Sequence, residues 1–70
     1  MKLDAETLYR FARLCELEAR EAASEALLAA TFYLDRRRAK AANERARHLR
    51  DLAFEARRRA RTLPAGNLQS

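Results

Sequence analysis

Among 70 residues there are one glycine, one proline, one cysteine, one histidine and no tryptophan. What remains, rich in alanine, arginine, leucine and glutamate, is the composition of a long helix or coiled coil. The only glycine, Gly66, stands near the end of the chain, so no glycine-rich loop is available to cradle a phosphate. A single cysteine forms no internal disulfide, and Cys15 falls on an apolar stripe, where it reads as a small buried residue. His48 has no second histidine or paired cysteine to complete a metal set. It lies on a mixed flank with Arg45 and Leu52 and reads as solvent-facing or as an interface residue. Glu18, Glu21 and Glu25 share one helical face, but carboxylate-bridged metal sites in bundles also want a Glu-x-x-His element, and none exists here. No serine, cysteine and histidine set pairs a nucleophile with a base. The expectation is therefore a protein that is not an enzyme, with no metal, cofactor or small-molecule substrate. No apolar run suits a signal peptide or a membrane span, which leads to the expectation of a soluble, cytoplasmic protein without membrane contact.

What is present is rhythm. Ala5, Leu8, Ala12, Cys15, Ala19, Ala22, Ala26, Ala29 and Tyr33 follow one another by alternating steps of three and four. Ala39, Ala42, Ala46, Leu49, Ala53, Ala56, Ala60 and Leu63 repeat the rule. Such a heptad keeps one stripe of a helix against a partner helix. Continuing the first rhythm past Tyr33 leads to Arg36 and Lys40, whereas the second resumes at Ala39. That slip equals deletion of one residue, which a smooth supercoil absorbs poorly, so the chain is expected to turn back. The fold class is all-α: an antiparallel helical hairpin with alanine-rich heptad seams. One continuous helix in a parallel coiled coil, and three helices broken near Ser24 and Asn43, are the competing layouts.

The first helix should run over about 4–33, with Asp4 as N-cap and Leu3 and Leu8 as a hydrophobic staple. The turn lies at about 34–38, and the second helix at about 36–63, capped by Asp35. Pro64 ends it, leaving 64–70 as a flexible tail and 1–63 as a single domain. With Tyr33 near Ala39, facing residues have numbers summing to about 71–72, so that Glu25 meets Arg47 and Glu21 meets Arg50.

Alanine seams bury little area, and a 70-residue chain is near the size where one core barely offsets chain entropy. Phe11, Leu14, Leu28, Phe32, Leu52 and Phe54 lie off the seams and suggest a second contact surface. The simplest outcome is a homodimer forming a four-helix bundle; a tetramer or the helices of a different protein would also cover it.

The net charge of +5 is unevenly laid down. Through Asp35 there are four basic and seven acidic residues, and from Arg36 onward eleven basic and three acidic. Arg36, Lys40, Asn43, Arg47, Arg50, Phe54, Arg57 and Arg61 make a stripe beside the second seam, thickened at its ends by Arg37, Arg38, Arg58 and Arg59. This row spans about 37 Å and reads as a rail for the phosphates of DNA or RNA, because the planar guanidinium fork holds phosphate bidentately. Asn43 reads as a solvated helix residue or a polar contact to base or ribose. The alternative is a protein-interaction or assembly module, in which these charges set helix pairing alone and add little stability. On that alternative the middle of the stripe is zipped to the first helix, and the terminal arginine clusters are the part left for an external anion.

A helical hairpin with a small-residue heptad seam that dimerises into a bundle resembles, in architecture, the Rop-type plasmid RNA-binding proteins. The likeness rests on heptad patterning alone, and a shared fold does not carry function with it.

Overall fold

The structure, a computed structural model, describes residues 4–63. Two helices, α1 (Ala5–Thr31) and α2 (Arg36–Thr62), pack against each other as a hairpin. Neither Ser24 nor Asn43 interrupts a helix, and the continuous rod is excluded by the reversal at 32–35. The expected partner of Leu8 in the staple, Leu3, and the tail 64–70 lie outside the described residues.

Both N-caps are aspartates in extended backbone. The Asp4 carboxylate accepts from the Thr7 N–H at 2.8 Å, and that bond holds its carboxyl below the ordinary range. Asp35 accepts from the Arg38 N–H at 3.1 Å. Each satisfies one of the orphan donors of a first helical turn. Leu63 closes α2 with φ −65° and ψ 135°, the extended backbone that a following proline favours.

The reversal comes earlier than the heptad implies. α1 ends at Thr31, not Tyr33, and the Phe32 and Tyr33 N–H groups both return to the Leu28 carbonyl, at 2.8 and 3.3 Å. Leu34 then takes φ 50°, the left-handed region that usually falls to glycine, and the Asp35 N–H donates back to the Ala29 carbonyl at 2.9 Å. A leucine there costs about 1–2 kcal/mol, offset by the α1 carbonyls it lets the turn satisfy. Tyr33 does not close the first seam. It is 63% exposed and stands face-on to the Arg38 guanidinium, 5.2 Å from the ring centroid.

Among the described residues, all eleven that are buried belong to the two rhythms: Ala12, Cys15, Ala19, Ala22, Ala26 and Ala29 on α1, and Ala42, Ala46, Ala53, Ala56 and Ala60 on α2. Cys15 is indeed a small buried side chain, and burial pushes its thiol pKa up. Ala12, Cys15, Ala53 and Ala56 form the central cluster, with Leu8 and Leu49 packed against it. No large side chain is fully buried among the described residues. With Thr31 and Arg36 as the joined ends, facing residues have numbers summing to about 67, not 71–72. The expected Glu25–Arg47 and Glu21–Arg50 pairs accordingly do not form. Glu25 meets Arg38 at 3.4 Å and Glu18 meets Arg45 at 3.6 Å.

Candidate nucleic-acid interface

In an antiparallel pair the two flanks of the seam differ, because each flank of one helix meets only the like flank of the other. On one side of the plane containing both helix axes, Glu16 of α1 faces Arg57 of α2. On the opposite side, Glu18 faces Arg45, Glu25 faces Arg38, and Phe11 lines a groove with Leu52. The hairpin is a slab with two faces, and the sequence has treated them differently.

The face on the Glu16 side is basic. Arg36, Lys40, Arg47, Arg50, Arg57 and Arg61 share it by their steps of three and four along α2. Arg36, Lys40, Asn43 and Arg47 line an open groove near the turn with Ala30, Leu34, Ala39 and Glu44. Opposite this stretch α1 offers Ala23 and Ala30 in place of carboxylates, so nothing on α1 neutralises it. Farther along, Arg13 and Arg20 of α1 border a groove with Glu16 and Arg57. Those two arginines belong to the acidic half of the chain, so a stripe traced along α2 alone does not include them. Continuing the heptad flank of Glu16 along α1 finds them.

Only some of these cations are engaged. Arg57 grips Glu16 with both arms of its guanidinium, Nη2 donating at 2.6 Å and Nε at 3.2 Å. That hydrogen-bonded grip holds the Glu16 carboxyl below the ordinary glutamate range. Arg58 and Arg59 both donate to Glu55, and the Arg58 bond likewise lowers Glu55. Arg13, Arg20, Arg36, Arg37, Lys40, Arg47, Arg50 and Arg61 enter no ion pair among the described residues. For the middle of the stripe this is the reverse of what the assembly-module alternative implies. The middle of the stripe is open, and much of the terminal cluster, Arg57 to Arg59, is occupied. Arg38 leaves the rail altogether for the opposite face, while Arg37 and Arg58 point from the outer edge of α2.

The opposite face is apolar and charge-balanced. It carries Phe11, Leu14, Leu28, Phe32 and Leu52, at 46, 62, 47, 77 and 37% exposure, too large a set to be incidental on so small a body. Its bases Arg38, Arg45 and Arg59 are each paired with a carboxylate. Phe54 does not join this group. At 64% exposure it stands on the basic face, between Arg50 and Arg57 along the stripe.

The Glu16 grip gives a pH signature. A carboxyl with a depressed folded pKa contributes stability above its unfolded pKa and loses that contribution as pH falls through the folded value. In Arg57→Gln, the Glu16 side-chain midpoint followed by NMR should rise toward the ordinary value. An unchanged midpoint would show that the grip does not persist in solution.

Among the described residues, no helix is long and apolar enough to cross a membrane, and no group of three or more histidine, cysteine or acidic side chains gathers as a metal site. Comparison of the chain with protein-family models, curated proteins and solved structures finds no match.

Proposed function

We propose that this hairpin is a small accessory or regulatory nucleic-acid-binding protein that grips phosphates with its basic face. One observation carries the reading: Arg36, Lys40, Arg47, Arg50 and Arg61, with Arg13 and Arg20 across the seam, share a face and enter no ion pair among the described residues, Glu44 and the Arg57-bound Glu16 being the carboxylates that line the same grooves. Like charges held together on a rigid scaffold repel one another and add nothing to the fold. An external polyanion relieves that repulsion and releases its own counterions on binding. Arg36 and Arg37 add a second sign. They occupy the first turn of α2, which has no acidic residue, against the helix dipole, where cations are disfavoured by a few tenths of a kcal/mol each. A local rule broken without structural gain is where function is to be sought.

The apolar face, in this reading, is covered by a second copy of the chain, giving the four-helix bundle. Two adjacent helices of 27 residues present roughly 40 by 18 Å, or roughly 700 Å². That is close to the about 800 Å² per partner of a standard stable interface. The face is also near neutral, so two copies meet without charge repulsion.

A second reading, an assembly module in which charge only sets pairing, is favoured by the Glu16–Arg57, Glu18–Arg45 and Glu25–Arg38 bridges. Salt separates the two. If about six phosphates are contacted, the log–log slope of affinity against salt is about −5, and binding weakens by roughly 1,000-fold between 50 and 200 mM. Fluorescence-anisotropy titration of duplex DNA and structured RNA over that range, with light scattering on the same sample, makes the test. No binding to either probe at low salt would overturn the nucleic-acid reading and leave the assembly module.

A further inference from the structure

We propose that the dimer is a bridge, holding two separate stretches of double-helical nucleic acid on its two outer faces. The inference rests on the phosphate-binding reading of the basic face and adds a geometric consequence that the reading alone does not contain.

The basic and apolar faces lie on opposite sides of the plane through the two helix axes, as the Glu16–Arg57 pair on one side and the Glu18–Arg45 pair on the other establish. A two-fold axis that buries the apolar face against itself must lie in the interface plane, either along the helices or across them. Both choices turn the second hairpin over. In both, the two basic faces end on the outside, back to back, with the whole bundle between them. Two helical layers about 10 Å apart, each about 10 Å thick, put those faces about 20 Å from one another.

One duplex cannot serve both faces. Its persistence length is about 150 base pairs, and the faces point in opposite directions across a body about 20 Å thick. Each face is about 40 Å long and can take a duplex segment along it. The dimer is thus divalent, and the segments it holds belong to two molecules or to distant parts of one. The charge plan agrees. Apart from Arg37 at the edge of α2, the cations without an ion pair among the described residues lie on the outer faces, whereas Arg38, Arg45 and Arg59 on the inner faces are already paired with carboxylates. Burying the inner faces therefore leaves the outward cations free and keeps the two basic sets as far apart as the bundle allows.

The experiment uses the full chain, beads carrying one duplex, and a second, fluorescent duplex free in solution, in parallel DNA and RNA versions at about 50 mM salt, where phosphate binding is strong. Wild-type protein should retain the fluorescent duplex on the beads. Retention should rise with protein and then fall once protein is in about ten-fold excess over duplex, since excess dimers occupy each duplex singly. Leu14→Glu with Leu28→Glu places charge on two exposed positions of the apolar face. This variant should scatter as a monomer, remain helical and bind a single duplex, yet lose retention by about ten-fold or more, because a monovalent binder has no second site. Retention that persists at high protein excess would show charge-neutralised condensation instead of a bridge and would overturn the proposal. So would anisotropy binding of one duplex without any retention of a second, or undiminished retention by a monomeric variant. Absence of anisotropy binding would instead remove the phosphate-binding reading, and the bridge with it. The rise and fall with wild-type protein decides the matter even if the double variant does not fold.

Discussion

Lys40→Glu, Arg47→Glu and Arg50→Glu introduced together are expected to weaken duplex binding at low salt by roughly a hundred-fold or more, and to flatten the salt slope by about three. The three side chains lie on one face of α2, outside the buried seam, and enter no ion pair among the described residues. Their removal breaks no ion pair of the fold, and surface changes of this kind move stability by about 0.5 kcal/mol at most. Each lost phosphate contact takes about 0.9 from the slope, and each new carboxylate adds repulsion to the same site. Arg45→Gln on the apolar side is the matched control for Arg47→Gln on the basic face, each change removing one positive charge. The former removes a cation that already serves Glu18 and should leave nucleic-acid affinity nearly unchanged. Equal losses from these two single variants would mean that net charge alone attracts the polyanion, without a defined face. Loss of helicity in the triple variant would make those cations structural.

The second large effect concerns the seam. Ala46→Leu is expected to destabilise the hairpin by about 1–3 kcal/mol, the usual penalty for forcing extra carbon into a packed interior. Ala46 is 1% exposed, on a seam whose buried members are almost all alanine. A domain this small rarely has more than about 3–5 kcal/mol in hand, so the loss is a large share of the total. Ala41→Leu, at an exposed position of the same helix, should change stability by less than about 0.5 kcal/mol. Urea denaturation of the two variants reads the difference directly. If Ala46→Leu is neutral, the helices are not in close approach and the alanines are not there to permit it.

Much of this architecture is legible in the sequence because small residues at heptad spacing mark the seam of a close helix pair. Both seams, both aspartate caps and the burial of Cys15 follow from spacing and side-chain chemistry. Register does not follow. A methyl group at one heptad position looks like the methyl at the next, so the seam sets which faces meet and says little about which residues face each other. Placing the reversal at Tyr33, and not at Thr31, moves every cross-helix pair, and Glu25 is then matched to Arg47 instead of Arg38. The turn itself carries no glycine to betray it, because Leu34 takes the left-handed conformation at an energetic cost. The same limit affects the candidate site. A single stripe of arginines hides the division of the slab into two faces. Phe54 then falls in with Phe11 and Leu52, and Arg13 and Arg20 stay concealed in an acidic stretch.

Cys15 equips the hairpin with its own stopwatch. The residue is 6% exposed and sits on the seam, within the cluster that Ala12, Ala53 and Ala56 complete. A water-soluble thiol reagent reaches it only during the moments when α1 and α2 stand apart. The labelling rate of the native chain, divided by that of the unfolded chain, therefore counts the fraction of time spent open. Because burial also suppresses the thiolate of the closed form, reaction from the closed hairpin is slow, and the clock runs on opening. No introduced probe is required, and the same reading taken with and without nucleic acid reports whether occupancy of the outer face is felt at the centre of the molecule.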